Sequence, residues 1–174
     1  KRQDLKGHTL PRIETKPLRE LTPETTLGFD CLEFAHDLFG WRGRPWQEHF
    51  LKRALELRPD GRLRFRVVLL LVARQNGKSA VMIVLALYFM LVLKEGEPVL
   101  STAQNLDTSQ ETWNQGLELL ESVDSDPPLV AKTWLGAGRN AMKLDNGSRW
   151  AVAAANRGGG RGKSSPLVLM DELR

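Results

Sequence analysis

One stretch constrains this chain more than any other: RVVLLLVARQNGKSAVM, residues 66–82. A nearly continuous apolar, β-branched run from Phe65 to Val72 stops at Ala73-Arg74-Gln75-Asn76, and Gly77-Lys78-Ser79 then opens a second apolar run. The first run has the composition of a parallel strand covered on both faces. The second, AVMIVLALYFMLVL (Ala80 to Leu93), is too short to span a bilayer unaided and directly follows a polar loop, which favours a helix buried inside a domain. A strand, a tight polar loop and a helix in succession aim backbone N–H groups and a helix N-terminus at one spot, an arrangement that favours an anion.

The loop approaches the phosphate-binding signature G-x-x-x-x-G-K-[ST], with Val72 in the slot of the first glycine. In such a loop Gln75, Asn76 and Gly77 surround the phosphates, Lys78 reaches the β- and γ-phosphates, and the Ser79 hydroxyl completes a Mg²⁺ shell. G-K-[ST] alone is a weak signal. A second signal, LVLMDE (Leu167 to Glu172), strengthens it: a short apolar strand that delivers Asp171 to the carboxyl edge of a sheet, where α/β ligands bind. Asp171 is the candidate Mg²⁺ holder, and Glu172 the candidate acceptor of a proton from an attacking water.

The rest of the chain alternates in the same manner. Residues 28–39 (GFDCLEFAHDLF) and 46–57 (WQEHFLKRALEL) carry apolar residues at helical spacing on either side of GWRGRP. PVLSTA (Pro98 to Ala103) reads as a short buried strand, and DTSQETWNQGLELLESV as a helix whose Asp107 and Gln110 are spaced for a capping box. AMKLDNGSRWAVAAA offers two alternating runs around Asp145-Asn146-Gly147, a strong hairpin signal, and the glycine-rich NRGGGRGKSSP leads into LVLMDE. Strand and helix alternating in this way predict an α/β fold with a mostly parallel sheet flanked by helices. Residues 1–23, charged and carrying Pro11, Pro17 and Pro23 without periodicity, read as an extended arm, and 24–174 as the domain proper.

Composition narrows the class. The 174 residues carry a formal charge of +4, which is compatible with a polyanionic partner without establishing one. A single cysteine, Cys31, leaves no internal disulfide framework and no cysteine-rich zinc site, as suits a reducing compartment. His8, His36 and His49 have no metal-ligand spacing, and the first residues contain no apolar signal-peptide core.

Taken together, RPWQ, ARQNGKS, STAQN, the DNGS hairpin and GGGRGKSSPLVLMDE, in this order and spacing, resemble the N-terminal ATPase domain of the large terminase subunit, the motor that packages DNA into tailed-phage capsids. The resemblance covers roughly residues 25–174 and implies a P-loop NTPase of the ASCE type. It also accounts for the missing glycine, because terminases of this type are similar in carrying a deviant loop with an arginine at the position of Arg74. By that resemblance Arg74 faces the phosphates and orients or senses the γ-phosphate, and a guanidinium fork suits phosphate oxygens. Gln47 resembles the adenine-recognition glutamine, with Trp46 beside it either packing on the base or anchoring a core. Arg161, and in second place Arg157, stand where relatives carry an arginine proposed to reach a neighbouring subunit's ATP in a ring. Ser101, Thr102 and Gln104 in STAQN resemble a segment with a structural or coupling role.

The resemblance further implies ATP and Mg²⁺ as substrate and cofactor, and double-stranded DNA, a portal protein and a small terminase subunit as partners. It implies a homo-oligomeric ring when assembled, no membrane, and a place in the host cytoplasm on the procapsid. The sheet and the region after Asp171 read as a fragment that lacks the coupling segment and the RNase H-like nuclease of such proteins. Two other readings use the same residues. One is a helicase-like nucleic-acid ATPase sharing Lys78, Asp171 and Glu172; the other is a truncated nucleotide-binding module that docks without turnover.

Overall fold

The computed structural model describes residues 10–103, 106–136, 140–154 and 165–171. Its contacts divide the chain into two compact units, Lys1–Asn76 and Gly77–Arg174.

The first unit is a helical hairpin with a docked N-terminal segment. Helix α1 (Gly28–Phe39) begins where the buried Thr26 hydroxyl accepts the Gly28 N–H (3.0 Å) and donates to the Lys52 carbonyl (2.6 Å). Helix α2 (Pro45–Ala54) starts with a proline at its first turn, where a missing N–H costs nothing. Cys31 and Ala35 of α1 and Leu51 of α2 are fully buried, with Leu55 beyond α2 nearly so, the helical spacing that the sequence displays.

Residues 14–19 cross this unit along a charged track. The Leu18 N–H donates to Glu56 Oε1 (2.7 Å), and Arg64 Nη1 donates both to the Lys16 carbonyl (2.8 Å) and to Glu56. Arg53 ties Glu56 to the Thr15 carbonyl, and His49 meets Glu14 at 2.8 Å. Glu56 is fully buried at the centre of this set. Burial alone would raise its pKa, but the Leu18 N–H and the guanidinium groups of Arg64 and Arg53 outweigh it and hold the carboxyl below its ordinary value.

The second unit is a five-stranded sheet with helices. Its elements are α3 (Lys78–Tyr88), continued by a π-helical turn at Phe89–Leu93, then β1 (Pro98–Ala103), α4 (Leu106–Glu121), β2 (Val130–Trp134), β3 (Ala141–Leu144), β4 (Arg149–Ala154) and β5 (Leu167–Asp171). The strand order is β2-β3-β4-β1-β5. β1 pairs in parallel with β4 and β5, whereas the β2–β3 and β3–β4 pairs are antiparallel. The sheet is therefore mixed rather than mostly parallel, because the tight Asp145–Ser148 turn returns the chain directly alongside itself. That turn also serves the π-helical segment: Asn146 Nδ2 and Ser148 Oγ both donate to the Met90 carbonyl, each at 2.8 Å.

One sheet face is packed. Trp113 of α4 and Trp150 of β4 are fully buried; the Trp113 indole donates to the Trp150 carbonyl (3.2 Å) and the Trp150 indole to Ser101 Oγ (2.8 Å). Met142, Leu144, Val99 and Leu169 complete this face, over which α4 packs on β4 and β1 while α3 packs on β5. The approach of α4 depends on Gly116, where a Cβ would collide with the Trp150 ring.

The expected strand Phe65–Val72 forms no ladder. Apart from isolated bridges at Thr26–Glu56 and Leu57–Leu63, no strand pairing exists among the described residues of its unit. Strand composition without a partner makes no strand, and Val67 and Leu71 are more than four-fifths exposed.

Candidate nucleotide site

The segment after that run bends sharply. Gln75 has φ 61° and Gly77 φ 85°, both left-handed, and the Asn76 amide donates to the Ala73 (3.0 Å) and Arg74 (3.3 Å) carbonyls. Gly77 is suited to its position because a side chain there would be strained. It stands as N-cap of α3, so the helix begins at Lys78 and the N–H groups of its first turn have no acceptor within the helix. Those groups and the positive end of the helix dipole make the start of α3 attractive to an anion.

The second unit then closes an ion pair across its own elements. Lys78, first residue of α3, places Nζ on Oδ1 of Asp171, last residue of β5. The Asp171 side chain is 5% exposed and that of Lys78 33%. The carboxylate is delivered by a parallel strand to the carboxyl end of β5, and the ammonium by the N-terminus of the helix that packs on that strand. Two residues far apart in sequence, each singled out for phosphate and cation chemistry, thus meet at one point. Ser79 follows in the first turn of α3, half-buried.

Asp171 and Ser79 offer hard oxygen donors, and among the described residues no group of three or more His, Cys, Asp or Glu side chains forms an all-protein metal centre. That donor set fits Mg²⁺, which is bound through one or two carboxylates plus phosphate oxygens and water rather than in a dedicated cage.

The other expected site residues fall in three groups. Arg74, Gln75 and Asn76 lie in the bend, with Arg74 exposed. Gln47 and Trp46 lie in the first turn of α2, where Gln47 is buried and its Oε1 accepts the Arg44 N–H at 2.7 Å. Trp46 is half-buried. Glu172, Arg157, Arg161 and Gln104 lie outside the described residues. Ser101 is occupied in packing, as the acceptor for the Trp150 indole. The engagement of Lys78 by Asp171 was not legible in the sequence, since no local pattern shows that β5 ends beside the start of α3.

Among solved structures, the chain is similar to the large terminase ATPase domain of Thermus phage P74-26, at a TM-score of 0.54 and 17% identity, over 78% of this chain and 55% of that one. The chain thus spans little more than half the length of the structure it matches, and the likeness is one of fold: a mixed α/β sheet flanked by helices. No protein-family model and no curated protein sequence matches the chain.

Proposed function

We propose that this chain is a P-loop ATPase domain of the large-terminase type, which hydrolyses ATP to drive double-stranded DNA into a procapsid. The observation that carries this reading is the Lys78–Asp171 pair at the head of α3 and the end of β5, since it brings together the two residues that phosphate and Mg²⁺ binding would require. The likeness of fold to a terminase ATPase domain supports it, as does the deviant ARQNGKS loop.

In this reading the ammonium of Lys78 turns from Asp171 to the β- and γ-phosphates when ATP arrives, and the N–H groups at the start of α3 hold the phosphate oxygens. Asp171 and Ser79 then hold Mg²⁺, which when bound neutralises charge on the phosphates. Arg74 supplies a guanidinium to the γ-phosphate, and Gln47 with Trp46 receives the base. Glu172 takes the proton of the attacking water, and Arg161 or Arg157 reaches the ATP of a neighbouring copy in a ring. A portal protein and a small terminase subunit are the partners of such a ring, working in the host cytoplasm. No helix among the described residues is long and apolar enough to cross a membrane.

ATP turnover by the wild type, Lys78→Ala and Glu172→Gln, with and without duplex DNA, tests the proposal. Turnover in the wild type alone, with retained ATP binding in Glu172→Gln, is the expected pattern. Tight Lys78-dependent binding without turnover in any assembled form would instead favour a docking module.

A further inference from the structure

The sheet face opposite the Trp150 core carries an arrangement that neither the packing nor the nucleotide site uses. In the register of the antiparallel strands, Lys132 of β2 stands opposite Lys143 of β3, and Lys143 opposite Arg149 of β4. All three are exposed, while their chain neighbours Met142, Leu144 and Trp150 are buried on the other face, as strand alternation requires. In the next row Trp134 stands opposite Ala141 and Ala141 opposite Ala151, so small residues leave room for the indole above the sheet. Lys132 Nζ lies 5.1 Å from the Trp134 ring centre and the Arg149 guanidinium 5.4 Å from it. The ring is thus flanked by two cations while 38% of Trp134 stays exposed.

Like charges directly opposite one another destabilise a sheet. Here three stand in one row, and among the described residues no carboxylate forms an ion pair with any of them. Such a row has no evident use for folding and an evident use for a polyanion. With strands about 4.8 Å apart the row spans roughly 10 Å. One strand of B-DNA carries about three phosphates over that axial distance. Its donors are cations, which pair with phosphate oxygens whatever the base sequence.

We propose that Lys132, Lys143 and Arg149, with Trp134 among them, form a sequence-independent docking surface for the phosphate backbone of duplex DNA. The choice of DNA rests on the function proposed above; the surface itself rests on the strand register.

The test is equilibrium binding of a fluorescent duplex by the full chain over a salt series. It compares the wild type, Lys132→Ala/Lys143→Ala/Arg149→Ala, and a control that loses equal charge elsewhere, Arg42→Ala/Arg62→Ala/Arg66→Ala. The face variant is expected to bind at least about ten-fold more weakly near 0.1 M salt, with a salt slope smaller by about 2 to 3. Trp134→Ala alone is expected to weaken binding less and to leave the slope unchanged. Near-UV circular dichroism and ATP binding like those of the wild type confirm that the face variant is folded. If the face variant falls no further than the control, the surface is wrong although the ATPase reading survives. If the wild type turns over ATP yet binds duplex no better than an unrelated protein, or prefers single strands ten-fold, the duplex assignment is overturned.

Discussion

Two sets of ion pairs, one in each unit, use the same chemistry to opposite ends. Around Glu56 the carboxylate is fully buried, the Arg53 and Arg64 side chains are 10% and 17% exposed, and the acceptors include the backbone of the N-terminal segment. At the head of α3, Asp171 is nearly as buried but Lys78 remains one-third exposed at the end of a four-carbon stem. The first set is interlocked and can only be broken at a cost. The second has one partner able to swing away. Burial of the carboxylate is common to both, so what separates the scaffold from the proposed site is the freedom of the cation.

The contrast can be broken at several places. The largest effects on stability are expected from the scaffold. Glu56→Ala leaves two buried or half-buried guanidinium groups uncompensated and should destabilise the protein by about 3–5 kcal/mol. Denaturant unfolding reads the loss, and faster proteolysis within residues 10–20 would show that the docked segment is released. Trp150→Ala should cost a similar ~3–5 kcal/mol, with amide exchange rising across β1, β4 and α4 rather than across α1 and α2. Gly116→Ala drives a methyl into the Trp150 ring and should cost about 1–3 kcal/mol.

A smaller effect follows from pH. The Glu56 carboxyl is held below its ordinary value in the fold, so its contribution is complete above the unfolded value of about 4.3 and is lost as pH falls through the lowered folded value. Wild-type stability should therefore drop as pH falls below about 4, and Glu56→Gln should flatten that part of the profile. Lys78→Ala should cost less than Glu56→Ala, because it removes a single cation that is itself one-third exposed, whereas Glu56→Ala strands two guanidinium groups at once. Equal losses from Lys78→Ala and Glu56→Ala would dissolve the distinction between site and scaffold.

What could be read from the sequence was what local pattern encodes. The helical spacing of Gly28–Phe39, the Asp145-Asn146-Gly147 turn, and the short apolar strands at Pro98 and Leu167 all reappear in the structure. What could not be read depends on partners. The run Phe65–Val72 has strand composition, yet composition supplies no neighbouring ladder. Val130–Trp134 was passed over because a five-residue edge strand beyond Pro127-Pro128 has little pattern of its own, and with it went the cationic row that only the register reveals. The contacts of residues 14–19 could not be read because their anchors, Arg53, Glu56 and Arg64, lie some forty residues downstream. Of the site, Lys78 and Asp171 were each visible, but not their contact.

The central claim is that the head of α3 and the end of β5 form a nucleotide site. Titration of the folded chain with ATP in the presence of Mg²⁺, for the wild type and Lys78→Ala, tests it most directly. The account expects saturable binding by the wild type and a loss on the order of 100-fold in Lys78→Ala, the scale of a charge-assisted bond to phosphate. Equal affinity in the two proteins, or no binding by the folded wild type, would contradict it.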